Sequence, residues 1–347
     1  VDGSGSVVLL SAEPDPPYDR PPLSKALWRG APEEGIWRGT AELGAELHLG
    51  RRAVWLDPAG KRVRDDAGTE YTYEKLLLAT GGTPRRLPFG GDLVVYFRTL
   101  GDYRRLRSLA EERERFVVIG GGFIGSELAA ALAMNGKRVT MLFPEAGIGA
   151  GLFPADLSAF LNDYYAERGV EVRAGAGVVD VRAQGAGVAV VSADGREVEA
   201  EGVVAGIGIR PETELAAAAG LPVADGIEVD EWLRAGHPDI YAAGDVARFF
   251  QPALGKRVRI EHEDNANTQG QAAGRAMAGE PESYRHLPFF YSDLFDLGYE
   301  AVGELDPRLE TVADWKEPYR EGVVYYLESG RVRGVLLWNT WGQVDAA

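Results

Sequence analysis

Residues 116–127 read FVVIGGGFIGSE: an apolar run, Val117-Val118-Ile119, opens into Gly120-x-Gly122-x-x-Gly125 and then into an alanine-rich segment. The run predicts a buried parallel strand, and the spacing of apolar and small residues over 126–134 predicts a helix. Glycines at these positions allow a tight turn, close approach of backbone N–H groups to a phosphate, and close packing of helix on strand. A second strand is predicted over 138–143. Glu145 stands 20 residues beyond Gly125 (145 minus 125), near where an acidic group meets a ribose hydroxyl. The stretch is therefore a candidate dinucleotide site in which a bound pyrophosphate faces the glycine turn.

Composition bounds what surrounds that site. The chain has 347 residues, 45% hydrophobic and 26% charged, which is a globular composition long enough for two or three domains. No apolar run approaches the roughly 18 residues of a membrane span, no secretory leader is visible, and a cytoplasmic location is expected. A formal net charge of -16 repels phosphate backbones, so nucleic acid is not an expected partner. Arg104, Arg105 and Arg107 fit a solvated helix face. There is no cysteine, which excludes disulfides, thiolate metal sites and any dithiol or sulfenate relay; no metal site is expected.

Outward from the glycine turn, strands and helices alternate. An apolar strand is predicted over 6–12 and ends at Glu13. The proline-rich stretch 14–25, PDPPYDRPPLSK, reads as extended or turn-forming. A buried strand over 76–80 is closed by Gly81-Gly82. Meander strands are predicted over 178–181, 188–192 and 197–199, then a strand over 202–207 ending at Gly208. A short strand over 240–244 ends at Asp245, and 264–277 reads as a helix rich in small residues. From 288 onward, apolar segments at 299–304, 323–326 and 332–338 predict a separate small sheet-containing domain. The stretches 76–88 and 203–215 each run an apolar strand into Gly and then Pro, as a duplicated nucleotide-binding architecture would.

The motifs ATGGTP (79–84), GGGFIGSE (120–127), AAGD (242–245) and YDRPPLSK (18–25) together resemble the flavoprotein reductases of the ferredoxin-reductase and glutathione-reductase superfamily. PPLSKALW (21–28), TYEKLLLATGGTPR (72–85), LFPEAG (142–147), IEHEDNA (260–266), YSDLFDLGYEAVG (291–303) and GVLLWN (334–339) are closest to apoptosis-inducing factor and its bacterial relatives. The resemblance spans nearly the whole chain. It implies an α/β fold with two Rossmann-like dinucleotide-binding domains and a small α+β C-terminal domain. FAD falls to 1–100 and 225–285, NAD to 101–224, and the C-terminal domain to 286–347. Family members open with a strand and glycine turn that hold the FAD pyrophosphate. No such motif precedes Ser6, so the sequence is expected to start at the tail of the first helix. It also stops, at 344–347, where a closing helix is expected. A brief link over 311–322 stands where the animal factor has a long insertion, so an apoptotic role is not carried over.

The resemblance also assigns residues. Glu13 would accept from the FAD ribose, while Arg20, Thr80, Gly81 and Asp245 would line the flavin. Lys25 would sit near flavin N5, paired with Glu127 so that hydride donor and acceptor stay in register. Phe123 would gate the nicotinamide, Glu261 and His262 would meet nicotinamide and flavin, with His262 as proton donor, and Phe290 and Tyr291 would cover a flavin face. A helix from about Asn265 would aim its positive end at the flavin pyrimidine. Gly120, Gly122, Ile124, Gly125, Glu145 and Gly208 would hold NAD. Because 143–153 contains Glu145 and no Arg or Lys, a 2'-phosphate meets repulsion and NADH is preferred over NADPH. The implied activity is an FAD-dependent NADH oxidoreductase passing electrons directly to a non-thiol acceptor: a ferredoxin-like protein, a quinone or oxygen. An alternative is a slow NADH-sensing flavoprotein whose reduced charge-transfer complex drives homodimerisation or partner binding.

Overall fold

The glycine stretch lies where a parallel sheet changes direction, and the sheet is best followed outward from it. The computed structural model describes residues 5–347; the expectation about what precedes Ser6 falls partly on residues 1–4, outside them. The described residues form two compact units, 5–19, 34–83 and 210–289 against 20–33, 84–209 and 290–347.

In the second unit, β1 (Val94–Tyr96), α1 (Leu100–Glu112), β2 (Arg115–Ile119), α2 (Phe123–Met134), β3 (Arg138–Phe143), α3 (Ala155–Glu167) and β4 (Val170–Ala174) alternate along the chain. An antiparallel meander follows, β5 (Val178–Gln184), β6 (Gly187–Ser192) and β7 (Glu197–Ala200), and then β8 (Gly202–Ala205). The parallel sheet has the order β4-β3-β2-β8-β1. Strand β2 is buried from Phe116 onward because it is covered on both faces; such strands are apolar throughout instead of alternating. The strand order reverses at β2, and open α/β sheets bind ligands off the carboxyl end of such a strand.

Helix α2 begins at Phe123, three residues ahead of the segment expected from the apolar spacing, because the turn itself is helical from there. Residues 128–132 are no more than 2% exposed, and each buried leucine among them contributes about 1.5–3 kcal/mol. Helix α1 opens with a capping box between Thr99 and Asp102, which satisfies two otherwise unpaired donors. On the opposite face of the sheet, Val181, Val190 and Val198 of the meander pack on Val117, Leu142 and Val203.

The same unit ends in a five-stranded sheet of β9 (Phe289–Leu294), β10 (Leu297–Gly303), β11 (Glu310–Glu317), β12 (Glu321–Glu328) and β13 (Arg331–Trp338), ordered β9-β10-β13-β12-β11. This corrects the expected α+β domain: the described residues of 286–347 hold strands and a 3-10 turn at Val344–Ala346, with no α-helix. The cause is a period-two pattern, clear in β12, whose alternate residues are buried. The link over 311–322 is likewise mostly the edge strand β11.

In the first unit, Val7–Ser11 pairs in parallel with Ala45–Leu49, and Leu76–Leu78 with Ile240–Ala242. Both of the latter strands are two residues shorter than expected. A three-stranded meander spans Ala53–Asp57, Arg62–Asp65 and Glu70–Thr72. Leu78, Ile227, Ile240 and Phe249 form its core with the helix Glu263–Met277 contributing Ala273. These units cut the chain differently from the expected domains, since 20–33, 84–100 and the C-terminal sheet all group with the glycine turn.

Candidate functional site

The glycines after β2 differ in what they do. A Cβ on Gly125 would lie 2.0 Å from the Gly120 carbonyl oxygen, and one on Gly120 would lie 2.3 Å from that of Gly206. Gly120 also has φ +115, a conformation side chains rarely adopt. Gly206 in turn has room for no Cβ, with Gly125 N at 2.8 Å. Three backbones therefore interlock. Gly122 is the exception: a Cβ there would meet nothing within 4 Å. It is also the N-cap of α2 and supplies no side chain to the first-turn N–H groups. An open cradle at a helix N-terminus suits an anionic group, so the residues present fit a dinucleotide pyrophosphate. Gly206 escaped sequence reading, although the alternation Gly206-x-Gly208 at the end of β8 was a usable signal. Gly208 has φ +84, and its carbonyl accepts from Arg85 N.

Glu145 follows β3 with its side chain exposed and its carbonyl held by Gly175 N. The chain-local count of cations around it missed Arg173, which β4 places in register with Leu142 of β3. Its guanidinium pairs with Glu171 at 2.7 Å, so its charge is already compensated.

Glu127, on α2, is 4% exposed. Its Oε1 accepts from Lys25 Nζ and from Ser292 Oγ, each at 2.6 Å, and its Oε2 accepts from Ser24 Oγ at 2.5 Å. The sequence reading paired Lys25 with Glu127 and missed both serines, though each lies inside a quoted motif. Lys25 is delivered by two short 3-10 helices, Pro21–Ser24 and Ala26–Arg29, the first starting on proline and the second ending at Gly30 with φ 89. Of the two expected forms, extended or turn-forming, the end of the stretch takes the turn. The pair lies wholly within the second unit. The ring of Tyr291 lies 5.4 Å from Lys25 Nζ, and both line a cleft of about 350 Å³ with Pro21, Pro22, Arg29 and Asp293. Phe123 stacks edge-on against Phe290 at 5.4 Å. Arg20 donates to the Arg98 carbonyl at 2.9 Å. Burial, and then the Glu127 charge, push the Tyr165 and Tyr299 hydroxyls well above their ordinary pKa.

In the first unit, Glu13 accepts from the Tyr18 hydroxyl. Thr80 Oγ1 donates to the Glu212 carbonyl at 2.7 Å, and the Gly81 carbonyl accepts from Glu212 N. Arg259 donates to the Asp245 carbonyl and to the Glu261 carboxylate, at 3.1 and 2.6 Å, so these two residues are gathered around one guanidinium. His262 caps the helix Glu263–Met277. Burial pulls its imidazole down to about 4 against the opposing pull of Asp245 and Asp264, leaving it neutral at pH 7. The helix starts two residues before Asn265, and Glu263 and Asp264 in its first turn already meet its positive end. Gln269 is fully buried; its Oε1 accepts from Gly244 N while its Nε2 has no protein partner. A buried donor left over in this way, beside the Asp245 turn, fits a polar ligand such as a flavin. Among the described residues no group of three or more acidic, His or Cys side chains is placed to hold a metal ion, and no helix is long and apolar enough to cross a membrane.

The chain is similar to known proteins along nearly its whole length. The family described as pyridine nucleotide-disulphide oxidoreductase matches residues 2–270, and that described as apoptosis-inducing factor, mitochondrion-associated, C-term matches 273–318. The chain is 33% identical over 399 residues to the mitochondrial apoptosis-inducing factor 1 of Dictyostelium discoideum, covering all of this chain and 73% of that protein. It is 39% identical over 312 residues to the ferredoxin–NAD(+) reductase component of an anthranilate dioxygenase system from Burkholderia cepacia, covering 87% and 76%. The reductase in a solved covalent putidaredoxin reductase–putidaredoxin complex aligns with a TM-score of 0.92 at 31% identity, over 99% of this chain and 86% of that one.

Proposed function

The chain belongs to the pyridine nucleotide-disulphide oxidoreductase family, and from that premise we propose that this FAD-dependent NAD(P)H oxidoreductase takes hydride from NADH and passes electrons directly to a ferredoxin-type protein. The observation that carries the reading is the buried Lys25–Glu127 pair, formed one helical turn beyond a glycine turn shaped for pyrophosphate. FAD, when bound, supplies the hydride acceptor and the ability to release electrons one at a time. The protein contributes alignment. Gly122 and the α2 N-terminus would receive the NAD pyrophosphate, Phe123 and Ile124 would border the nicotinamide, and Lys25 would be fixed by Glu127. Holding reactants at near-attack distance supplies much of the rate in such reactions. In the second unit Arg20, Lys25 and Tyr291 are the proposed FAD contacts; in the first, Glu13, Thr80, Gly81, Asp245, Glu261 and His262. His262, neutral at pH 7, can give a proton only from its N–H.

NADH is the preferred coenzyme, because Glu145 is exposed beside the ribose position and Arg173 is already paired. With no thiol in the sequence, electrons leave without a sulfur relay; relatives named as ferredoxin reductases favour a ferredoxin over a quinone or oxygen as acceptor. The test is an anaerobic NADH titration of the FAD-loaded protein followed by reoxidation with a ferredoxin, a quinone and oxygen. Stoichiometric bleaching, a higher kcat/KM for NADH than for NADPH, and fastest reoxidation by the ferredoxin are expected. Failure to bleach overturns the reading. Slow reoxidation by every acceptor, together with NADH-dependent dimerisation, would replace it with a sensor.

A further inference from the structure

We propose that Ser24 and Ser292 are positioning residues for the hydride-transfer step: their hydroxyls clamp the buried Glu127 carboxylate from both oxygens, holding it in the rotamer that presents Lys25. The inference rests on the hydride-transfer reading above. A carboxylate has two oxygens and about four acceptor sites, and one ammonium cannot satisfy them in a place with almost no water. The structure fills the shortfall with two hydroxyls, Ser24 at 5% and Ser292 at 0% exposure, at 2.5 and 2.6 Å.

Hydroxyls suit this task better than a second cation. An added Arg or Lys would share the negative charge and weaken the hold on Lys25, whereas a neutral donor stabilises the ionised form and leaves the full charge for the ammonium. Tyr299 is buried in the same neighbourhood, where burial and then the Glu127 charge push its hydroxyl well above its ordinary pKa. Neither serine serves local structure in place of this: Ser24 ends a 3-10 helix without capping it, and Ser292 lies within β9.

The experiment compares wild type, Ser24→Ala, Ser292→Ala and the near-isosteric Ser24→Cys and Ser292→Cys, whose S–H is a weak donor. Glutamate carrying carbon-13 in its side-chain carboxyl is incorporated into the FAD-loaded protein, and the Glu127 signal is identified by its loss in Glu127→Gln. Each alanine variant is expected to move that signal at constant pH, because one hydrogen bond to the carboxylate is lost. Stopped-flow reduction at saturating NADH is expected to slow about tenfold, with the half-saturating NADH concentration within twofold of wild type. The cysteine variants should fall between, and they decide the matter should either alanine variant fail to fold. A wild-type carboxyl signal and a wild-type limiting rate in the substituted proteins, or an effect on NADH half-saturation alone, would overturn the proposal. A wild type that NADH does not reduce sinks the hydride-transfer reading instead, while the carboxyl signal still reports whether the clamp exists.

Discussion

At position 25 a flexible, strongly hydrated ammonium has been taken largely out of water, to 12% exposure, and set against a carboxylate at 4%. Removing one member of such a pair leaves the other charge buried and uncompensated, which costs about 3 kcal/mol. Lys25→Ala is therefore expected to lower stability by about that amount. It should also slow flavin reduction at saturating NADH on the order of a hundredfold, with NADH affinity nearly unchanged. Stopped-flow kinetics and urea unfolding on one preparation check both; an unchanged reduction rate would remove Lys25 from the mechanism. The Lys25–Glu127 pairing was legible in the sequence through a family resemblance carried by long motifs. Ser24 and Ser292 were not, because a serine acquires its role only from the partner that folding brings to it, here from segments 103 and 165 residues away. Arg173 escaped for a related reason: a strand neighbour is close in space and 28 residues from Glu145 in sequence (173 minus 145).

Among elements, the turn between β2 and α2 separates two kinds of glycine. Gly125→Ala drives a methyl into a backbone oxygen at 2.0 Å that cannot move aside, so both stability and NADH binding should fall, stability by about 2 kcal/mol or more. Gly122→Ala puts its methyl into open space. It should fold with a Tm close to wild type and still bind NADH roughly tenfold more weakly, since the methyl occupies the place where phosphate must approach. Calorimetry and NADH titration distinguish the pair, and equal behaviour of the two would refute the assignment of Gly122 to the ligand. Elements with a strong period were read closely: the strand over 138–143 is Arg138–Phe143. The C-terminal strands β9 and β11 were missed. The β11 segment ETVADWKE is an exposed edge with little apolar content, and its identity as a strand comes from pairing with β12.

For the whole molecule, several groups have depressed pKa values, and His262 and Asp239 are the most strongly displaced among them. His262 titrates near 4 in the fold against 6.5 for a free imidazole, so the unfolded chain takes up its proton first as pH falls. Its contribution is intact above pH 6.5 and is lost between 6.5 and 4, on the order of 2 kcal/mol once its partial exposure is allowed for. Asp239, held by hydrogen bonds from Lys61 and Lys75, titrates near 2 against 3.8; its contribution is present above 3.8 and goes as pH falls towards 2. Urea midpoints measured from pH 8 to 3 should decline in those two windows, and His262→Asn should flatten the first while sparing the second. A first window that survives the substitution would assign it to another group.

The clamp around Glu127 draws together positions 24, 127 and 292, nearly the full length of the polypeptide. During synthesis, helix α2 emerges long before β9, so its carboxylate must wait in water until the final quarter of the chain arrives. Contacts of such long sequence separation form late. The full set of bonds on Glu127 is thus withheld from any half-made or C-terminally clipped product, which can own a finished glycine turn and yet lack the Ser292 hydroxyl that completes it.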